Sequence, residues 1–222
     1  MYHHTVNQAI KKVHLSINET YGFLTVNVDR LLSLQPVVGK KVLLSLIRYI
    51  GGARINIHYE VFAAFYSQLL NNPRVNRCIV STCVLYSPDG RDDLMVIGRQ
   101  LPNKSEQKQT PISVGETVHW DGRWRITIKP IKGHYMGKEE LLYIRHMRHS
   151  DWSVARRGVR KIRSTRLPHT HIRGGLPVVT TKDGYILIVP HFEVNDLSYG
   201  VECDIKFKPL VPLTQYNEFL AY

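Results

Sequence analysis

The densest cluster of positive charge in this 222-residue chain lies between Arg145 and Arg173, and it constrains the fold more than any other feature. The stretch contains eight Arg and one Lys against one acidic residue, Asp151, and so carries +8 of the chain's formal net charge of +12. An ion buried without a partner costs several kcal/mol in lost hydration. Because carboxylates are so scarce here, most of these side chains must face water or a polyanion. The stretch therefore predicts an exposed basic surface.

The overall composition is typical of a globular protein, with 43% apolar and 22% charged residues. The sequence has no run of about 18 apolar residues, and its N-terminus has no continuous apolar core, so we expect neither a spanning helix nor a signal peptide. A pI near 9.7 favours RNA, DNA or an anionic membrane as the partner. The membrane is the weakest of the three, because the basic run lacks an amphipathic face with Trp, Phe and Leu spaced for insertion.

Hydrophobic spacing predicts helices in the first third of the chain. Apolar residues recur at helical spacings of three and four, namely Val6, Ala9, Ile10, Val13 and Ile17. Further helices are predicted over 40–50, ended by Gly51-Gly52, and over 56–70, ended by Asn71-Asn72-Pro73. Between the first two helices, Leu24, Val26 and Val28 alternate as in a short strand.

The rest of the chain is rich in β-hairpin signals. Hairpins are predicted around Ser87–Gly90, Asp121-Gly122 and Lys182-Asp183-Gly184, because each turn separates apolar or alternating runs. One helix is predicted near 138–149, and residues after Cys203 suggest an edge strand. We therefore predict an α+β fold, with a helical linker-type domain over 1–72 and a β-rich C-terminal region over 73–222.

The sequence offers no convincing catalytic or metal-binding constellation, and we predict no catalytic, cofactor-binding or metal-ligating residue in this chain. It has no G-x-S-x-G nucleophile elbow, no phosphate-binding G-x-x-x-x-G-K-[ST] and no G-x-G-x-x-G. The His pairs 3/4, 146/149 and 169/171 lack a nearby carboxylate to complete a site. The three cysteines (Cys78, Cys83 and Cys203) are expected to be buried thiols in a reducing compartment.

Three features have a functional and a structural interpretation. Gly174-Gly175 could form an anion-binding nest, but a plain turn before a strand is the commoner case. Trp120 and Trp124 could stack on bases, although Trp in a hairpin more often belongs to the core. Arg173, beside the Gly pair at a strand entry, could bind phosphate or could instead pair with a buried carboxylate and serve the fold.

Several short segments, in order, resemble the C-terminal half of tRNA(Ile)-lysidine synthetase of the alphaproteobacterial or mitochondrial type. The resemblance covers roughly residues 35–192 and depends on the order and spacing of its pieces. These pieces are Leu44–Gly52, which looks like a helix ending in a Gly-Gly break; Val96–Gln100; Val118–Ile126, similar to a "W-D-x-R" hairpin; and Arg166–Pro168, Arg173–Val179 and Ile188–His191, which are similar to a closing "L-P-x-x-x-R-x-x-L-P…V-P-H" pattern.

Membership would imply an enzyme that activates the wobble cytidine of an isoleucine tRNA with ATP, after which lysine attacks and lysidine forms. In that family the ATP and magnesium chemistry belongs to an N-terminal domain with an "S-G-G-x-D-S" loop. This chain has no such loop, so we expect it to contain no cofactor and to be inactive alone. It is then a fragment, a split subunit or an independent binder. The compartment implied is the mitochondrial matrix in a eukaryote and the cytoplasm in a bacterium.

The leading functional hypothesis is tRNA recognition within such a ligase. The phosphate-binding residues that we predict are Arg156, Arg157, Arg160, Lys161, Arg163 and Arg166. Arg suits planar, bidentate phosphate contact and base stacking. The alternatives are a solvated charged face without a partner and a non-enzymatic RNA-binding protein associated with organellar RNA or ribosomes. A separate N-terminal catalytic domain and a homodimer are the further partners considered, and no membrane partner is expected.

Overall fold

A computed structural model describes residues 2–52, 56–103, 107–133, 141–159 and 168–213 of the chain. Within these ranges, the side chains of residues 2–4, 14–15 and 157–159 lie outside the description. The described residues form six α-helices and three antiparallel sheets, with about 33% helix and 31% strand. The predicted α+β class is confirmed.

The chain divides into two compact units. Unit 1 comprises Met1–Asn18, Gly22–Arg99 and Pro209–Tyr222, and unit 2 comprises Glu19–Tyr21 and Gln100–Lys208. The main division therefore falls between Arg99 and Gln100, whereas the sequence prediction places a boundary between residues 72 and 73. The predicted hairpin around residues 87–90 belongs to unit 1.

Unit 1 contains the four helices of the first third of the chain. They are α1 (Tyr2–Val13), α2 (Val28–Leu32), α3 (Pro36–Gly51) and α4 (Tyr59–Asn71). The Gly-Gly signal correctly predicted the end of α3, where Gly52 takes a φ of +89° that favours glycine. The first helix is shorter than predicted, because Ile17 lies on a strand that follows Val13 directly.

The sheet of unit 1 has five antiparallel strands in the order β1-β2-β5-β4-β3. They are β1 (His14–Asn18), β2 (Phe23–Asn27), β3 (Cys78–Val80), β4 (Cys83–Tyr86) and β5 (Leu94–Arg99). The predicted strand near residues 24–28 and the predicted β4–β5 hairpin are confirmed. The apolar run 78–86 is itself a tight hairpin, because Ser81 adopts a positive φ of 56° and Val80 pairs with Cys83.

Unit 2 contains two sheets. A five-stranded sheet has the order β12-β11-β10-β9-β6, and a three-stranded sheet has the order β13-β8-β7. The strands are β6 (Thr110–Ile112), β7 (Thr117–Trp120), β8 (Trp124–Pro130), β9 (Leu142–His146), β10 (Pro177–Thr180), β11 (Ile186–Val189), β12 (Val194–Asn195) and β13 (Val201–Phe207). The β7–β8 and β10–β11 hairpins and the edge strand β13 are confirmed.

The helix predicted near 138–149 is wrong. Residues 142–146 form β9, which pairs with β10 in the register Pro177↔His146 to Thr180↔Tyr143, and residues 138–140 lie outside the described part. Burial between two neighbouring strands overrides the helical preference of a Glu- and Leu-rich segment. The helices of unit 2 come later, as α5 (Trp152–Val159) and α6 (Thr170–Arg173).

Two further findings concern the chain as described. All three cysteines are free thiols, of which Cys83 is buried and the other two are half-buried. No helix in the described ranges is long and apolar enough to cross a membrane.

Candidate nucleic-acid interface

The predicted phosphate-binding residues fall on α5 and on the segment that follows it. Arg156 is exposed on α5. Arg157 lies on the same helix, with its side chain outside the description. Arg160, Lys161, Arg163 and Arg166 lie in 160–167, also outside the described residues. We call residues 156–166 the basic segment. The structure thus describes what holds its two ends.

A buried ion pair holds the chain just before the basic segment. The two terminal nitrogens of Arg145 donate to the Asp151 carboxylate at 2.5 and 3.1 Å, and both side chains are 5% exposed. The same carboxylate accepts from the backbone amide of Arg148 at 2.6 Å, in the turn that leads into α5. Asp151, the single acidic residue of the stretch, therefore neutralises a buried arginine rather than the exposed ones. Removing one member of such a pair is strongly destabilising.

An arginine–tryptophan stack joins the two sides of the basic segment. The guanidinium carbon of Arg173, the last residue of α6, lies 3.7 Å from the ring centroid of Trp152, the first residue of α5. The Arg173 Nε also donates to the carbonyl of Pro168 at 3.0 Å. Trp152 packs edge-on against Phe192, with 5.4 Å between ring centroids. Trp152 and Arg173, which flank residues 153–172 in the sequence, are therefore in contact.

Within the described part of the chain Arg173 forms no ion pair with a carboxylate, in contrast to the pairing considered from the sequence. Its positive charge lies over an aromatic ring instead. Burial lowers the pKa of its guanidinium from the usual range. Arginine tolerates such a site because it is weakly hydrated and stacks on aromatic rings.

The Gly174-Gly175 pair is a turn that offers carbonyls rather than amides. The amides of Gly175 and Leu176 donate back to Ile172 and Arg173, each at 3.0 Å. The carbonyl of Gly174 is 3.2 Å from His146 Nδ1, and that of Gly175 accepts from Arg123 at 2.7 Å. The anion-nest interpretation is therefore wrong for these two amides, and the turn interpretation is confirmed.

A second arginine, Arg123, forms a buried polar cluster with this turn. Its side chain is 1% exposed and donates twice to Asp121, with Nη2 at 2.7 Å and Nε at 3.0 Å from the same carboxylate oxygen. His146 Nε2 lies 4.0 Å from the other Asp121 oxygen, and the His146 and Trp120 ring centroids are 4.5 Å apart. In the sequence Arg123 alternates with Trp124, Arg125 and Ile126, a pattern that would place Arg123 with Arg125 on the outer face, but the structure buries Arg123. The nearby acid of the Asp-Gly turn was the available signal that this arginine could be buried.

The tryptophans of the β7–β8 hairpin belong to the core. Trp120 is 4% exposed and Trp124 1%, so neither face is open to a base, and the core interpretation is confirmed. His191 is buried with Trp124, at 4.8 Å between ring centroids. Burial, helped by the charge of Arg123, lowers the pKa of His191 to about 3, and this side chain is therefore neutral at physiological pH.

The remaining histidine pairs differ in their surroundings. His169 and His171 have ring centroids 4.5 Å apart, and the His171 amide donates to His169 Nδ1 at 3.3 Å at the start of α6. His146 lies on β9, so it shares no helix face with His149. No group of three or more His, Cys, Asp or Glu side chains able to hold a metal occurs in the described part of the chain.

No protein-family model and no curated protein sequence matches this chain. The functional argument therefore depends on the arrangement itself: a net positive stretch whose ends are fixed by a buried ion pair and an arginine–tryptophan stack.

Proposed function

We propose that this chain binds tRNA through the basic segment, as the tRNA-recognition part of an ATP-dependent ligase that converts the wobble cytidine of isoleucine tRNA to lysidine. The proposal depends mainly on one observation, namely which groups the Asp151 carboxylate binds. This carboxylate is fully engaged by Arg145 and the Arg148 amide. Arg156, which follows on α5 and is exposed, therefore keeps its charge for an outside partner.

The chemistry of the segment favours RNA among polyanions. Its charges are mostly arginines, whose planar guanidinium pairs with two phosphate oxygens and also stacks on bases. RNA recognition depends largely on backbone shape, with a few base-edge contacts. The described residues that flank the segment are already ordered by the Arg145–Asp151 ion pair and the Arg173–Trp152 contact, so ordering them costs little on binding.

In this proposal the chain binds the tRNA and does not catalyse the ATP-dependent reaction. The resemblance to the lysidine-forming ligases gives the choice of tRNA, while ATP and magnesium would be bound by a separate catalytic domain. This chain would position the tRNA, and the nucleophile would be lysine from solution.

The experiment is a double substitution, Arg160→Ala with Arg163→Ala, assayed by binding to an isoleucine tRNA transcript across a salt series. Each lost phosphate contact should flatten the log–log salt dependence by roughly 0.7 to 0.9, so the pair should flatten it by about 1.4 to 1.8. The matched control is Arg125→Ala with Lys206→Ala, which removes two exposed charges on adjacent strands of unit 2. Parental affinity and slope in a folded double variant would show that the surface assignment is wrong.

Two comparisons separate the ligase proposal from general RNA binding. If the chain recognises the shape and base edges of tRNA, an isoleucine tRNA transcript should bind more tightly than an RNA duplex of equal charge or heparin. Binding through charge alone would not distinguish the three ligands. Full-length transcript sequencing should find the "S-G-G-x-D-S" region encoded upstream of Met1 or in a partner subunit. Equal binding to all three ligands, with a genuine promoter and start at Met1, would instead identify a non-enzymatic RNA-binding protein.

A further inference from the structure

Arg173 differs from every other described arginine of unit 2 in how its charge is held. The guanidinium carbon lies over the Trp152 ring, 3.7 Å from its centroid, and Nε donates a hydrogen bond to the Pro168 carbonyl. No described residue accepts a hydrogen bond from its two terminal nitrogens, and the side chain is half-buried rather than enclosed. Four N–H donors in a fixed plane therefore remain available.

This geometry is that of a preorganised anion-binding group. Stacking on an aromatic ring fixes the guanidinium plane without neutralising its charge. An oxyanion that approaches the terminal nitrogens gains a bidentate contact at little entropic cost, because the side chain is already ordered. Partial burial adds to the attraction, since water screens the charge less than it does on the open surface.

The stack also lies next to a predicted phosphate-binding residue. Arg156 follows Trp152 by four positions on α5, so the two share one helix face, with Cβ atoms about 5 to 6 Å apart in such pairs. Arg156 is exposed. Arg173 contacts the Trp152 ring, and Arg156 lies one helical turn from Trp152 on α5. The described residues place no carboxylate in a salt bridge with either arginine.

We infer that Arg173 is a phosphate-binding residue of the RNA site, with Trp152 as its positioning residue, so that one contact of the site comes from the fixed base of the basic segment. The inference rests on the proposed function, because it names a further contact of that same surface. Its competitor is a purely structural role, in which the stack only fastens α6 to α5.

The test compares three variants of the full chain on the isoleucine tRNA transcript across a salt series. Arg173→Met should weaken binding about tenfold at low salt and flatten the log–log salt slope by roughly 0.7 to 0.9. Arg173→Lys keeps the charge but loses the planar stack, so its slope should stay near the parental value and its affinity should fall less. Trp152→Leu leaves the charge in place, so affinity should fall about two- to fivefold with an unchanged slope.

Arg125→Met is the matched control, because it removes one exposed arginine charge from strand β8 of the same unit. Binding and slope should stay at the parental values in this variant. Thermal unfolding of every variant shows whether the assay temperature leaves it folded.

The outcomes are distinguishable from those of the basic-segment test. If Arg160→Ala with Arg163→Ala flattens the slope but folded Arg173→Met binds as the parent does, Arg173 is structural and this inference alone is overturned. If the parent itself does not bind RNA, both proposals are overturned. Should Arg173→Met fail to fold, Arg173→Lys and Trp152→Leu decide: weaker binding at an unchanged slope supports the inference, and parental affinity in both contradicts it.

Discussion

Two arginines of unit 2 each lie near a tryptophan but satisfy their charge in different ways. Arg123, 5.7 Å from the Trp124 ring, is fully enclosed and paired with Asp121 and the Gly175 carbonyl. Arg173, 3.7 Å from the Trp152 ring, is half-buried and has no carboxylate among the described residues. The guanidinium of Arg123 donates its hydrogen bonds within the protein. Arg173 keeps N–H donors available for a ligand. Proximity to an aromatic ring alone therefore does not distinguish a structural arginine from a binding one.

The largest expected effect comes from removing Arg123 from its buried pair with Asp121. Arg123→Met removes two hydrogen bonds from the largely enclosed Asp121 carboxylate and the donor to the Gly175 carbonyl, so the free energy of unfolding should fall by about 3 to 5 kcal/mol. Urea denaturation measures this change. As a control, Arg125→Met removes an exposed arginine of β8 and should change the free energy of unfolding by less than about 0.5 kcal/mol.

A loss below about 1 kcal/mol for Arg123→Met, as for an exposed ion pair, would contradict the comparison. A second variant, Arg123→Met with Asp121→Leu, should recover part of the loss, because no unpaired charge is then left in the interior.

A smaller effect is expected where the chain turns directly after Arg173. A Cβ added at Gly174 would lie 2.4 Å from the Leu101 Cβ and 3.1 Å from its Cα, so part of the backbone must move. Gly174→Ala should therefore destabilise the fold by about 1 to 3 kcal/mol, as measured by thermal unfolding. In the Leu101→Gly background the same substitution should cost clearly less, and an equal cost there would show that this contact is not the cause.

The smallest effect, expressed per pH unit, is the change in the free energy of unfolding that the titration of His191 causes. In the folded state its pKa is about 3, whereas an unfolded histidine titrates near 6.5. Between about pH 6.5 and pH 3 only the unfolded chain binds this proton. The contribution of the neutral His191 to the free energy of unfolding is therefore complete above pH 6.5. It is lost as the pH falls towards 3, by about 1.4 kcal/mol per pH unit.

Denaturation curves between pH 7 and 5 measure this dependence. His191→Phe keeps an aromatic ring but cannot titrate, so its stability should vary less with pH over that range. The exposed His119 serves as the control site, and His119→Gln should leave the parental slope in place. A parental slope in His191→Phe would assign the dependence to another group. The result also sharpens the comparison of the two arginines, because the charge of Arg123 contributes to the low pKa.

The fold was predictable from sequence wherever a local signal specifies the backbone. The Asp-Gly turn of the β7–β8 hairpin takes positive φ at both residues, 52° and 65°, as its composition indicates. The helix predicted near 138–149 failed because pairing with β10, more than thirty residues away, decides the conformation of residues 142–146. Local propensity does not contain that contact.

The site was less predictable than the fold, because its decisive contacts join distant residues. Arg123 meets the Gly175 carbonyl across 52 positions of the chain, and nothing in either segment indicates the other. Trp152 and Arg173 likewise lie on opposite sides of the basic segment, so their stack appears only in three dimensions. The positive charge itself was evident from composition, since it depends on counting residues and not on contacts.

The uneven burial of the tryptophans gives the protein a natural optical reporter. Of the three indoles in the chain, Trp120 and Trp124 are sealed in the core, while Trp152 is half-exposed with a guanidinium against its ring. Iodide should therefore quench mainly Trp152. A ligand that engages Arg173 should change the emission of this indole and leave the other two as a constant internal reference.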